Sequence, residues 1–191
     1  MILKLGLDDH MHCAIDAHNY PDTANPQDQI IRKLGPEYSA LLQVVEQHIP
    51  RFHILEGHIC SVPGRKRKYV HLIARGHEAI VSIILTKRQN EGFPSGRLFA
   101  ASASGPVKLF EAHLKGMDVA GFETKGYFGY VVSDLGRGEV LHMANALAAP
   151  VRDTLDGTAT PGTTKASNSI PSLSGYLAWI CLRPNDQPLS R

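Results

Sequence analysis

The feature that most constrains the fold is a change of hydrophobic period at residue 53. From there on, three runs rich in β-branched residues are separated by glycine-containing loops at 63–68 and 75–78. The runs are HILEGHICSV, YVHLIA and AIVSIILT, which begin at residues 53, 69 and 79. Such runs are typical of strands with a buried face, and the loops between them are short enough for hairpins. The sequence therefore predicts three antiparallel strands between residues 53 and 86.

Upstream of this point the sequence has helical spacing and helix boundary residues. Over residues 36–49, apolar side chains recur at the spacing of one helical face, and Pro50 ends the pattern. Asn25 followed by Pro26 is typical of a helix start, with an N-cap and a proline in the first turn. We predict three helices, over residues 8–18, 26–34 and 36–49.

Downstream of residue 96 the pattern changes twice more. We predict, in order, a strand over 97–102, a short amphipathic helix over 107–117, a hairpin over 118–133 and a helix over 136–150. The hairpin turns at Lys125 and Gly126, and Pro150 is expected to bend the last helix. Helices, then strands, then a helix that packs back predict an α+β fold: an antiparallel sheet with N-terminal helices and a C-terminal helix packed on it.

The chain of 191 residues divides into one predicted domain and a tail. The domain is predicted over residues 7–155, a length within the usual range for a single domain. Residues 156–191 are predicted as a low-complexity linker and a short apolar tail, because 156–175 are rich in Thr, Ser, Gly and Pro. The apolar stretch YLAWICL at 176–182 is shorter than the roughly 20 residues of a membrane helix.

Charge and hydropathy exclude two classes of partner. Lys and Arg number 20 against 18 Asp and Glu, a formal net charge of +2, so we predict no nucleic-acid partner. The basic run GRKRKY at 64–69 is expected to be a solvated hairpin loop. We also predict no membrane-spanning segment in this chain, and MILKLG at the start is too short for the apolar part of a signal peptide.

Two of the three cysteines lie close to histidines, in the runs DDHMHC and EGHIC. On a helix, His10 and Cys13 share a face because they are three positions apart. On a strand, His58 and Cys60 share a face because they are two apart. If the helix packs over the strand, these four side chains converge as a nitrogen and sulfur set that suits tetrahedral zinc or reduced copper. His71 on the next strand is a fifth candidate ligand or a partner outside the ligand set.

The same residues allow two other interpretations. Cys13 and Cys60 form a disulfide between helix and sheet if the domain faces an oxidising compartment, with structural histidines beside them. Alternatively they are two unrelated buried thiols, since cysteine is among the most buried residue types. The spacing does not choose between the three, although the repeated His and Cys pairing predicts that the two cysteines lie near each other.

Catalytic motifs are missing from the sequence. It contains no GxSxG elbow, P-loop, HExxH or GxGxxG after a strand. The acid and glycines of SDLGRGE at 133–139 are better explained by Ser133 or Asp134 capping the last helix. We therefore predict that the protein is not an enzyme and assign no catalytic residue.

Several stretches together resemble a known family. They are LDDHMHCAI, LGPEYSALLQVV, EGHICSVPGRKRKYVHLIAR, VSIILTKR, VAGFETKGYFGYVVSDL and MANALAAPVRDTL. Over about residues 7–155 these are similar to the C-terminal, extracytoplasmic domain of zinc-finger-type transmembrane anti-sigma factors from acidobacteria and related bacteria. In such proteins a cytoplasmic helical module binds the sigma factor and one helix crosses the membrane. Neither part is expected in this chain.

The resemblance implies a role and a location rather than a reaction. It leads us to expect a non-catalytic sensory or binding domain in the periplasm, with a membrane regulator or membrane complex as protein partner. Transcription regulation is the process implied. The alternative is a stand-alone metal or redox protein that serves as an accessory subunit of a membrane-associated electron-transfer complex.

Overall fold

A computed structural model describes residues 2–18, 20–61, 68–76, 79–88, 99–101 and 107–157. Its α-helices are α1 (Ile2–Asp9), α2 (Gln27–Leu34), α3 (Ser39–His48) and α4 (Arg137–Val151). Two π-helices continue α1 over His10–Asp16 and α4 over Arg152–Asp156, and a 3-10 turn at Pro36–Tyr38 precedes α3. None of the helices in these ranges has the length and apolar character that a bilayer crossing requires.

Seven described strands form one sheet. They are β1 (His53–Ser61), β2 (Lys68–Arg75), β3 (Ile80–Lys87), β4 (Phe99–Ala101), β5 (Lys108–Leu114), β6 (Met117–Glu123) and β7 (Tyr127–Ser133). The order across the sheet is β1-β2-β3-β7-β6-β5-β4, and all neighbours are antiparallel. Two meanders, β1–β3 and β4–β7, therefore join through the pairing of β3 with β7. The predicted strands between 53 and 86 and the hairpin over 118–133 are confirmed.

Helices cover both faces of the sheet. Helices α2, α3 and α4 pack on one face, where the main core includes Leu42, Leu72, Val131 and Leu147. Helix α1 and the His10–Asp16 π-helix cover the other face, with Leu7 packed among Ile84, Phe128 and Tyr130. The predicted α+β class, an antiparallel sheet with N-terminal helices and a C-terminal helix packed on it, is confirmed.

The predicted helix over 107–117 is wrong, because these residues form β5 and the turn into β6. Leu109 and Glu111 are buried while Lys108 is exposed and Phe110 is only partly buried, which is the two-residue period of a strand. The turn consists of Lys115 and Gly116, whose φ angles are +53° and +79°. Two central residues with positive φ give the tight turn that matches the twist of paired strands. Pairing with β4 and β6 thus overrides the weak helical spacing.

Local details at the helix ends also differ from prediction. Helix α1 begins at Ile2, whereas a helix over 8–18 was expected, and it changes to a π-helix at His10. The Asn25 side chain does not cap α2 but donates a hydrogen bond to Glu56, at 2.9 Å. Ser133 does not cap α4, since its hydroxyl donates to the carbonyl of Ile80 at 3.0 Å. Apart from residues 156 and 157, the predicted linker and apolar tail over 156–191 lie outside the described residues.

Candidate metal centre

The junction between α1 and the His10–Asp16 π-helix places Asp9 against the sheet. Residues four apart share a face of a helix, and the Cys13 thiol donates to Asp9 Oδ1 at 3.5 Å. Asp9, His10 and Cys13 are all buried, and Leu7 anchors the preceding turn in the apolar layer. Short π-helical turns are rare and occur frequently at functional sites.

Strands β1 and β2 supply the opposite wall. His58 pairs directly with His71, and Cys60 with Tyr69. Directly opposite residues of an antiparallel pair point to the same face, as do residues two apart on one strand. All four side chains therefore face the N-terminal helix, and the two imidazole rings meet edge to face with centroids 4.8 Å apart.

One side chain from the helix and three from the strands form a compact donor group. One ligand atom from each of Asp9, His58, Cys60 and His71 lies within 4.8 Å of all the others. His71 is fully buried, Cys60 is 6% exposed and Asp9 is 9% exposed, whereas His58 is only partly covered. Tetrahedral zinc, with bonds of about 2.0–2.3 Å, holds neighbouring donors about 3.3–3.8 Å apart. The observed limit of 4.8 Å is close to that spacing, so the group could hold a metal ion.

The two donors from helix and strand face each other directly. Asp9 Oδ2 lies 2.6 Å from His71 Nδ1. Both atoms are buried, and neither has a hydrogen-bond partner elsewhere in the described residues. At this distance the two atoms are each other's polar partner and hold a proton between them, and a bound metal ion would replace that proton.

A second set of contacts lies behind the donor group. His71 Nε2 is 2.7 Å from Ser82 Oγ, and Ser82 Oγ is 2.7 Å from His10 Nδ1. All three side chains are fully buried. Metal-bound histidines usually engage the second ring nitrogen in such a bond, which fixes the ring's orientation.

The charge state of the group suits a cation. Burial raises the pKa of Asp9, but the hydrogen bond and charge of His71 and the Tyr69 hydroxyl outweigh it and bring the pKa to about 2. Burial, followed by the Asp9 charge, raises the pKa of Tyr69, which therefore remains a neutral donor. Burial and the nearby charge of His71 lower the pKa of His10 to about 4. At neutral pH the centre thus holds a carboxylate beside a neutral His10.

The structure brings together only part of the set predicted from sequence. Of the five predicted residues, His58, Cys60 and His71 belong to the donor group, whereas Cys13 contacts Asp9 and His10 is linked to His71 through Ser82. Asp9 takes a place that sequence reasoning did not assign. The signal was present, since Asp9 directly precedes His10 in DDHMHC. Cys13 and Cys60 are thiols rather than a disulfide.

Ser82, His71 and Asp9 are bonded in the order of a hydrolase triad. Ser82 is fully buried, however, and its hydroxyl is shared with His10. A nucleophile needs an open approach for the substrate, and this serine has none. The geometry therefore favours a metal centre over a hydrolytic site. Comparisons with family models, curated proteins and solved structures found no match to this chain.

Proposed function

We propose that this protein is a metal-responsive sensory domain that binds one zinc ion through Asp9, His58, Cys60 and His71. The observation that carries the proposal is the approach of four donor atoms to within 4.8 Å of one another. A carboxylate, two imidazoles and one thiolate form a ligand set of intermediate softness. Such a set suits Zn²⁺ better than it suits reduced copper, which prefers sites rich in thiolates. The partly exposed His58 side chain, on the edge strand β1, leaves a route for the ion.

Metal binding would couple the N-terminal helix to the sheet. Asp9 is the one proposed ligand from the helical layer, while the other three come from β1 and β2. Contacts that hold residues 2–16 on the sheet include Leu7 in the core cluster with Ile84 and Phe128, the ion pair of Asp8 with Lys115 at 3.0 Å and the buried bond of His10 to Ser82 at 2.7 Å. A metal ion ligated by both Asp9 and the strands would add its binding free energy to these contacts. Binding of the ion would therefore favour docking of residues 2–16 on the sheet, and loss of the ion would favour their release.

The resemblance to extracytoplasmic anti-sigma factor domains supports a location and a partner for this sensor. It favours a place outside the cytoplasmic membrane and a membrane regulator as the partner that reads the N-terminal helix. A non-catalytic role agrees with the closed environment of Ser82. The protein's output would thus be a change of protein contact rather than a chemical product.

A copper electron-transfer protein is the second candidate, for one specific reason. Two histidines and one cysteine, here His58, His71 and Cys60, are the strong ligands of blue-copper sites. This corresponds to the accessory subunit of a membrane-associated electron-transfer complex. Cu²⁺ added to metal-free protein would then give an intense thiolate-to-copper charge-transfer band, and the colour would disappear in Cys60→Ser.

The test of the zinc proposal is a titration of metal-free protein in the presence of a coloured zinc chelator. We expect one zinc per chain, with binding greatly weakened in Cys60→Ser and His71→Ala. His113→Ala is the matched control, because His113 is exposed and bonded to Asp118 away from the donor group. Wild-type protein that binds no zinc, or Cys60→Ser protein that binds as tightly as wild type, would disprove the site.

Hydrogen exchange tests the sensory part separately. Zinc should slow amide exchange in residues 2–16 of the wild-type protein, because the bound ion opposes release of the helix. Helix α4, on the opposite face, provides the internal control. If zinc binds but amide exchange in residues 2–16 is unchanged, the metal site is supported and the proposed sensory mechanism is contradicted.

A further inference from the structure

Ser82 joins two buried histidines through a single hydroxyl. Its Oγ is 2.7 Å from His71 Nε2 and 2.7 Å from His10 Nδ1. A hydroxyl has one proton to donate, so it donates to one ring and accepts from the other. Between two neutral rings the chain of bonds therefore has two possible directions, and the proton positions on His71 decide which one is present.

Without metal, and with one proton on the His71 ring, the Asp9 carboxylate sets one direction. Asp9 Oδ2 lies 2.6 Å from His71 Nδ1, so a neutral His71 carries its proton there. His71 Nε2 then accepts from the Ser82 hydroxyl. Ser82 Oγ in turn accepts from His10 Nδ1–H, and His10 Nε2 is left unprotonated.

We propose that Ser82 and His10 are positioning residues that make Nδ1 the metal-ligating nitrogen of His71, and that metal binding reverses the direction of this hydrogen-bond chain. The inference rests on the proposed zinc site. Binding through Nε2 would break the bond to Ser82 and leave its hydroxyl without that partner. Binding through Nδ1 retains the bond, because the remaining ring proton of His71 then lies on Nε2 and is donated to Ser82 Oγ.

The reversal conserves the protons held by His71, Ser82 and His10. Zinc displaces one proton from His71 Nδ1 to solvent, the Ser82 proton moves to His71 Nε2, and the His10 Nδ1 proton moves to Ser82. His10 Nε2 takes up one proton from solvent, so His10 stays neutral and changes only its tautomer. His10 Nε2 is buried and has no hydrogen-bond partner within the described residues, so nothing there holds the ring in one tautomer.

Removal of the Ser82 hydroxyl should weaken zinc binding without touching a ligand. Loss of such an outer contact typically lowers metal affinity about 10–100-fold. We expect this loss in Ser82→Ala and its recovery in Ser82→Thr, which restores the hydroxyl. Ser133→Ala is the matched control, because Ser133 is an equally buried strand serine that donates to the carbonyl of Ile80 instead.

The deciding measurement is a long-range proton–nitrogen NMR spectrum of ¹⁵N-histidine protein at about pH 8, where imidazoles of ordinary pKa are neutral. We expect zinc to bind His71 through Nδ1 and to move the His10 proton from Nδ1 to Nε2. Zinc on Nε2 of His71, an unchanged His10 tautomer, or full affinity in Ser82→Ala would overturn this inference and leave the zinc site intact. Wild-type protein that binds no zinc would overturn both.

Discussion

Replacing Asp9 by Asn tests whether this carboxylate is the charged link between helix and sheet. Asn keeps the size and shape of the side chain, so packing against Leu7 and Cys13 is little disturbed. It removes the negative charge that faces His71 Nδ1 at 2.6 Å. The variant therefore isolates the electrostatic contribution of Asp9 from its packing.

The pKa of Asp9 gives the expected loss of unfolding free energy in this variant. Burial raises this pKa, but His71 and Tyr69 outweigh it, so the value falls from 3.8 to about 2. At about 1.4 kcal/mol per pH unit, the difference corresponds to about 2 kcal/mol of stability from the ionised form. Because the folded pKa is lowered, this contribution is present above the unfolded pKa and disappears as the pH falls from 3.8 toward 2.

Urea unfolding with a metal chelator present is the assay. We expect the free energy of unfolding of Asp9→Asn to be about 2 kcal/mol below wild type at neutral pH, with the gap narrowing below about pH 4. Excess zinc should then widen the gap, since a ligand at 100 times its Kd adds about 2.7 kcal/mol to the form that binds it. Equal stability at neutral pH, or a gap that does not narrow in acid, would refute the reasoning.

Three further predictions concern acid stability and the sheet. The pKa of His10 is lowered to about 4 from 6.5, so metal-free protein should lose about 3 kcal/mol of unfolding free energy as the pH falls through this window. His10→Gln should flatten that slope in urea titrations, and an unchanged slope would contradict a buried neutral His10. Gly116→Ala should lower stability by about 1–2 kcal/mol because its φ is +79°. Increased stability would instead favour a helix over 107–117, because Ala has a higher helix propensity than Gly. Gly129→Ala should lower the thermal midpoint, because a methyl group there would overlap the Phe122 ring. A normal midpoint would show that the ring moves aside freely.

Much of the strand pattern was predictable because a strand's period is local. The β-branched runs from residue 53 onward identify β1, β2 and β3, and the spacing of His58 and Cys60 places both on one face. His71 joins them because pairing β1 with β2 sets it directly opposite His58. The strand half of the candidate centre was therefore visible in the sequence.

The helical half depended on tertiary structure. Helical spacing alone predicted His10 and Cys13 as ligands, yet in the structure Asp9 reaches the donors of β1 and β2, while His10 contacts Ser82 and Cys13 contacts Asp9. Likewise, pairing with its neighbours made a strand of β5, where the isolated segment has helical spacing. Periodicity records which residues share a face of one element. Which faces meet, and which carboxylate lies between them, is decided only when the helix packs on the sheet and buried polar groups must find partners.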